Sequence, residues 1–382
     1  MADEDPKKRG SSAPPSSRPS RPSEVPPSSR AGAPTPRSTR PPQLSTAFRL
    51  SGIDFDLMGA ARRILEGALG VVPGERVVVL VDRARRDIGL SLADAARNIG
   101  ARAAIFSLEE YGDRPMRHIP SSLQEALVDA QASVFLAGFD DGEMALRYEL
   151  LARVRHLNLR HANMVGISRK SMIGGFSVDP SRILDATRAV RMRLRPESVL
   201  RVRSVAGTDL EVRCAPSLRW AEFVGVLRPG RWEHLPSGSL VTSPSSVSGV
   251  FVADAAIGTE AGAQVGLLDK TPVRFEIDQG LCRSVHCDNR SLDRHLMDFM
   301  RREASLDRVG LAILGTNIGI HAATGEVTSD QNLPGIHLGF GATYPEHTGA
   351  TWSGRAQITA AASTSDVDLD GVPLVRSGRL LV

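Results

Sequence analysis

Near the carboxyl end of the chain, the sequence gathers side chains of the types that bind metal ions. His337 lies seven residues before Tyr344, and Asp368 and Asp370 follow at i, i+2 spacing in a segment that alternates like a strand. Neutral imidazole, phenolate and carboxylate groups are ligands for Zn, Co, Mn or Fe. Alternate residues of a strand project to one face, as chelation by two aspartates requires. The segment therefore predicts one divalent metal ion held by His337, Asp368 and Asp370, with Tyr344 as a ligand or a catalytic oxyanion donor.

The cysteines favour neither a disulfide framework nor a zinc site. Their number is odd in a chain of 382 residues, and they stand at Cys214, Cys282 and Cys287. The segment CRSVHC (282–287) has no standard spacing of zinc ligands, and its alternation is typical of a strand. We therefore expect a reduced, cytoplasmic protein.

The charge distribution argues against nucleic acid as a partner. The chain has 47 Lys and Arg against 43 Asp and Glu, and residues 1–45 hold eight of the former and four of the latter. The remainder is balanced, so the folded part has no net basic charge for binding phosphates. No run approaches the roughly 20 apolar residues that a membrane span needs. We therefore expect neither nucleic acid nor membrane as a partner.

Residues 1–45 form a segment rich in Pro, Ser and Arg with almost no apolar side chains. Such a composition cannot bury enough surface to offset the entropy of ordering, so the sequence predicts a disordered tail. The tail is either solubilising or a docking arm whose partner is unknown.

Residues 46–195 alternate between helical and strand patterns. Predicted strands cover 72–82, 102–108, 132–138 and 163–168, and predicted helices cover 56–70, 87–101, 119–130 (opened by a Ser cap) and 144–158. This alternation predicts an α/β domain with a parallel sheet. No Gly-x-Gly-x-x-Gly follows the first strand, so we expect no nucleotide cofactor.

Residues 196–382 read as a strand-rich α+β domain. Short alternating runs such as DLEVRCA and TPVRFEID are punctuated by Gly, Pro and Asp, which is typical of antiparallel strands. One clear helix, 291–304, follows a Ser cap. This second domain holds every candidate for chemistry.

Several motifs, in order along the chain, resemble one known family. They are VVPGERVVVLVD, NIGARAAIF, RWEHLPSGSLVTSP, GLAILGTNIGI with HAATG, LPGIHLGFG and SDVDLDGV. The chain from about residue 56 onward is similar to the aminopeptidase T-like metallopeptidases, whose relatives include ring-opening dihydroxypyridine dioxygenases. The resemblance implies a metal-dependent protein that has two domains and forms a homodimer.

The resemblance also implies a set of metal ligands that this chain keeps only in part. The family holds two metal ions with two Glu, a His, a Tyr and a final His-x-Asp pair. Here Ser239 stands in place of the first Glu, and the second falls near Leu311, which leaves too few carboxylates to offset the repulsion between two ions. The remaining positions are occupied by His337, Tyr344, Asp368 (in place of a His) and Asp370.

Three functions are compatible with this reduced ligand set. The leading interpretation is a divergent aminopeptidase-like metallohydrolase that removes N-terminal residues from peptides with a metal-activated water. One alternative is a catalytically lapsed binding or scaffold protein of the same fold. The other is a ring-opening dioxygenase that uses one Fe(II) ion. Whether the chain is an enzyme stays open at this point, as does its peptide or small-molecule substrate.

Overall fold

The computed structural model describes residues 55–382, which belong to one compact unit. The tail expected over residues 1–45 lies outside the described residues, so its disorder stays a prediction. The same holds for residues 46–54 of the expected α/β domain.

The strands and helices of the described chain follow in order. The strands are β1 Arg76–Val81, β2 Arg102–Ser107, β3 Ala132–Leu136, β4 Arg160–Asn163, β5 Val199–Arg203, β6 Asp209–Arg213, β7 Ala221–Phe223, β8 Trp232–His234, β9 Ser239–Thr242, β10 Ser246–Ala253, β11 Ala256–Ile257, β12 Val273–Asp278, β13 Leu281–His286, β14 Val309–Gly315, β15 Gly335–Gly341, β16 Gln357–Ala361, β17 Asp366–Leu369, β18 Val372–Arg376 and β19 Arg379–Leu380. The α-helices are α1 Phe55–Arg62, α2 Arg86–Ile99, α3 Ser121–Val128, α4 Met144–His156, α5 Arg169–Gly175, α6 Pro180–Arg193, α7 Glu260–Val265, α8 Arg290–Arg301, α9 Val327–Asp330 and α10 Pro345–Thr348.

Five parallel strands form the first sheet, in the order β2-β1-β3-β4-β8. β1 is a run of five buried apolar residues after Arg76, and β3 is buried throughout, as strands covered on both faces require. The predicted parallel α/β sheet is therefore confirmed. The strand expected at 163–168 is wrong, because β4 ends at Asn163. The fifth strand, β8, comes from the second half of the chain.

The helices around this sheet begin and end where local signals allow. The helix expected over 87–101 is confirmed as α2, and Gly100 ends it with a φ of +84°, a conformation that favours glycine. The expected Ser cap of α3 is wrong, because Pro120 takes the cap position without a side-chain hydrogen bond. Within residues 55–382, no helix has the length and apolar character needed to cross a membrane.

Two antiparallel sheets pack face to face in the second half of the chain. Their orders are β13-β12-β10-β6-β5-β17-β18-β19 and β11-β16-β15-β14-β9-β7. Phe275 of the eight-stranded sheet stacks on Phe340 of the six-stranded sheet, with ring centroids 4.9 Å apart. The largest apolar cluster lies between the two sheets. The strand-rich α+β class that was predicted is confirmed.

The other face of the six-stranded sheet carries His337 and Leu311. Val241, Leu311 and Ile313 form a small apolar cluster there, with Phe223 beside it. His337 pairs directly with Ile313 across β14 and β15. Because directly opposed residues of an antiparallel pair project to the same side, His337 shares this face.

Candidate functional site

His337 lies within β15, and both of its ring nitrogens are hydrogen-bonded to the backbone. Nε2 donates to the carbonyl oxygen of Leu333 at 2.9 Å, and Nδ1 accepts from the amide of Ala362 at 3.2 Å. This pattern assigns the proton to Nε2. Burial lowers the pKa of His337 to about 4, so the ring is neutral near pH 7. Since the backbone amide engages the one lone pair of the neutral ring, none is left for a metal ion.

The two predicted aspartate ligands are occupied by other partners. Asp368 forms an ion pair with Arg376 of the neighbouring strand. The Asp370 carboxylate accepts from the amide of Val199 at 2.8 Å and from the hydroxyl of Ser198 at 3.0 Å. Asp370 follows the last residue of β17 and has a φ of +52°. The i, i+2 spacing therefore does not place both carboxylates on one face of a strand.

The predicted ligands lie in different sheets. His337 belongs to the six-stranded sheet, whereas Asp368 belongs to β17, an interior strand of the eight-stranded sheet, and Asp370 to the turn after β17. No three His, Cys, Asp or Glu side chains among residues 55–382 are grouped so that they could hold a metal ion. As the donors are arranged here, they do not fit the single divalent ion that the spacing predicts.

Tyr344 meets a neutral amide. Its hydroxyl is hydrogen-bonded to Gln357, whose Nε2 donates to the Thr359 hydroxyl at 3.0 Å. The residue is 37% exposed overall, yet burial around the hydroxyl raises the pKa of Tyr344 to about 12. The group is therefore a phenol near pH 7.

Leu311 lies near the position where the resemblance places a metal-binding carboxylate, and it is fully buried. It packs against Val241 and Ile313. A Cβ added to Gly339 would lie 3.1 Å both from Leu311 Cβ and from Gln357 Nε2. Leu311 is thus next to the chain of neutral hydrogen bonds that begins at Tyr344. Apolar and uncharged groups therefore surround Leu311.

The partners of Tyr344 were missed at the sequence level. The run QITAA (357–361) alternates polar and apolar side chains, so Gln357 and Thr359 share one face of β16. That alternation was the available signal. It carries no charge, so a search for metal ligands passes over it.

A cavity of about 230 Å³ opens beyond the carboxyl ends of the parallel strands. Arg85 from the turn after β1 and Phe139 from the loop after β3 line one side, and residues 257–259 and 324–328 line the other. The chain continues from β1 to β2 on one side of β1 and then returns to β3 on the other side. The strand order therefore switches between β1 and β3. Open α/β sheets place ligands at such switch points.

Arg85 is held rigidly at this edge. Its Nε donates to the carbonyl oxygen of Ile167 at 2.8 Å, and its Nη1 donates to the buried Asp82 carboxylate at 2.7 Å. Asp82 also accepts from the amide of Gly138 at 2.6 Å and from Arg114 at 3.2 Å. Because the Nε and Nη1 atoms of Arg85 are hydrogen-bonded and its side chain is mostly buried, the guanidinium has a fixed direction.

The opposite wall is built around two acids. Glu326 Oε2 accepts from the amide of Ser168 at 2.8 Å and from the hydroxyl of Ser171. Asp330 accepts from the amides of Thr324 and Gly325, at 3.0 and 2.8 Å, which fixes the loop that carries Glu326. Burial raises the pKa of Asp330 to about 6. Sequence reasoning also missed this pair, because the two walls come from distant parts of the chain.

The fold, and part of the sequence, are similar to those of one known family. A parallel α/β layer joined to an antiparallel sandwich is the fold of the family that includes aminopeptidase T and the dihydroxypyridine dioxygenases, and family members depend on metals. Residues 176–315 also match the family model described as NicX, 2,5-dihydroxypyridine 5,6-dioxygenase. The predicted resemblance is therefore confirmed.

Two solved structures give the particular likeness. The first is 2,5-dihydroxypyridine dioxygenase from Pseudomonas putida, at 18% identity and a TM-score of 0.57, over 85% of this chain and 97% of that one. The second is AmpT from Thermus thermophilus, at 17% identity and a TM-score of 0.58, over 86% of this chain and 99% of that one. A search of curated protein sequences gives no match.

Proposed function

We propose that this chain is a ligand-binding protein that keeps the fold of its family without the metal chemistry. The observation that carries the proposal is the position of Leu311. Near the position where the resemblance expects a carboxylate, a fully buried leucine packs against Val241 and Ile313. A divalent ion placed there would lose water and gain no negative charge, which costs several kcal/mol.

The hydrogen bonds of the remaining candidates support the same function. The lone pair of His337 is engaged by a backbone amide, and the Tyr344 hydroxyl is hydrogen-bonded to Gln357. Each of these two side chains would have to give up a hydrogen bond before it could bind a metal ion. An aminopeptidase mechanism needs a metal to activate water, and this donor set supplies no place for that ion.

A ring-opening dioxygenase is the second candidate, because the matching family model over residues 176–315 describes such an enzyme. A dioxygenase would need one Fe(II) ion, whereas an aminopeptidase would need Zn, Co or Mn to hydrolyse a peptide. The resemblance implies a homodimer, which is compatible with ligand binding, with a dioxygenase and with an aminopeptidase. Sedimentation measurements test the dimer separately.

Activity assays test the proposal against both enzymes. The chain is incubated with Fe(II) and 2,5-dihydroxypyridine in an oxygen electrode, and with Zn, Co or Mn and amino-acid anilides in a colour assay. We expect no rate above that of the metal salts alone. Turnover that is lost in His337→Ala but kept in His321→Ala, a change at an exposed histidine, would overturn the proposal.

A further inference from the structure

The cavity beyond the carboxyl ends of β1 and β3 has opposite charges on its two walls. Arg85 lines one side and Glu326 the other. Among the described residues, these two side chains form no ion pair with each other. A molecule that bridges them therefore needs an anionic group and a cationic group. Resting on the proposed binding function, we infer that the cavity binds a small amino carboxylate, such as a free aliphatic amino acid.

The anionic end of the ligand faces a guanidinium with spare donors. Within residues 55–382, the Nε and Nη1 atoms of Arg85 have partners in Ile167 and Asp82, and the Nη2 atom has none. A fixed guanidinium with free N–H groups matches the planar geometry of a carboxylate. Since Asp82 and Ile167 already hold the side chain, little rotamer entropy is lost when a ligand binds.

The cationic end of the ligand faces Glu326. The two hydrogen bonds to Glu326 from Ser168 and Ser171 both end on Oε2. The other oxygen, Oε1, has no partner in the described part of the chain. An ammonium group is a donor with three N–H bonds and forms short, charge-assisted hydrogen bonds with such an oxygen.

The size and the remaining walls of the cavity define the rest of the ligand. A volume of about 230 Å³ holds several water molecules, at roughly 30 Å³ each, or one molecule of amino-acid size. Phe139, Val165, Ile257 and Val327 also line the cavity. These apolar side chains favour an aliphatic substituent between the two charged ends.

Calorimetry with matched ligands tests the inference. L-alanine, propionate and ethylamine are titrated into the full chain with EDTA present, so that binding through a metal is excluded. Propionate lacks the ammonium group and ethylamine lacks the carboxylate. We expect L-alanine to bind at least about tenfold more tightly than either, because each charged hydrogen bond contributes one such factor. Equal affinities, or no binding of L-alanine at millimolar concentration, would overturn the inference.

Matched variants place the ligand in the cavity. Glu326→Gln keeps the side-chain shape and removes the charge, so L-alanine should bind about tenfold more weakly while propionate is unchanged. Glu260→Gln makes the same charge change at an exposed position and should bind L-alanine like the wild type. Equal weakening in both variants would refute the site. If Glu326→Gln does not fold, the titrations of L-alanine, propionate and ethylamine into the wild-type chain still test the inference. Failure here leaves the metal-free function standing, because the assays of that function measure metal-dependent turnover and not binding in this cavity.

Discussion

At the scale of single residues, the partners of a side chain decide its role. His337 and Tyr344 keep the spacing that the resemblance gives to metal ligands. In the structure His337 is bonded to two backbone groups, and Tyr344 is bonded to an amide. The residue types suit metal binding, but their bonding in this structure is that of structural core groups.

The buried imidazole predicts how stability changes with pH. The pKa of His337 falls from 6.5 to about 4 on folding, so below about pH 6.5 the unfolded chain binds a proton that the folded chain does not. Stability from this group is complete above pH 6.5 and is lost as the pH falls toward 4. His337→Gln should therefore have a flatter profile there, by up to about 1.4 kcal/mol per pH unit.

Urea unfolding between pH 7 and about pH 4 measures this slope. His161 and His234 also have lowered pKa values, of about 3 and 4, but they contribute equally to both proteins. The exposed His321→Gln is the matched control and should keep the wild-type slope. Identical slopes in His337→Gln and the wild type would show that His337 does not contribute to the pH dependence.

The buried leucine makes a second prediction at this scale. Leu311→Ala removes most of the side chain from a closed apolar cluster, so the free energy of unfolding should fall by about 2–5 kcal/mol. Leu381→Ala, at a residue 47% exposed, should change it by less than about 0.5 kcal/mol. Denaturant titrations compare the two. A loss below about 1 kcal/mol for Leu311→Ala would mean that the position is open rather than packed.

At the scale of elements, strong periodic patterns could be read from the sequence. The apolar run of β1 and the amphipathic helix α2 lie where they were predicted. Caps were less certain, because several polar residues compete at each helix start. The sequence favoured a Ser cap before α8, whereas Asn289 takes that position and accepts from the amides of Ser291 and Leu292.

This difference between Asn289 and Ser291 can be measured. Asn289→Ala removes an acceptor for two amides at the start of α8, and the free energy of unfolding should fall by about 1 kcal/mol. Ser291→Ala should have an effect within about 0.5 kcal/mol. Thermal unfolding of both variants gives the comparison. A larger loss for Ser291→Ala would restore the cap that the sequence suggested.

Other features depend on contacts that local spacing does not encode. β8 joins a sheet whose other strands come from before residue 164. Asp370 lies in a left-handed turn, and its carboxylate bonds to Ser198 and Val199, about 170 residues earlier. Only the assembled chain brings these groups together, so the spacing of the aspartates alone suggested a metal site that their actual partners do not favour.

At the scale of the whole molecule, the same fold can serve chemistry or recognition. The sandwich core, with Phe275 stacked on Phe340, depends on none of the residues that the family uses for metal binding. The architecture therefore does not require a metal site. The charged cavity at the edge of the parallel sheet lies on a different part of this scaffold, where Arg85 and Glu326 are kept in place by buried networks.

The measurement that tests this account most directly is the metal content of the purified chain after incubation with Fe(II), Zn, Mn and Co in turn and removal of unbound ions. We predict far less than one ion per chain by mass spectrometry, and the same value for His337→Ala. One tightly held ion per chain in the wild type, absent from His337→Ala and present in His321→Ala, would contradict the account. It would support a metal-dependent enzyme instead.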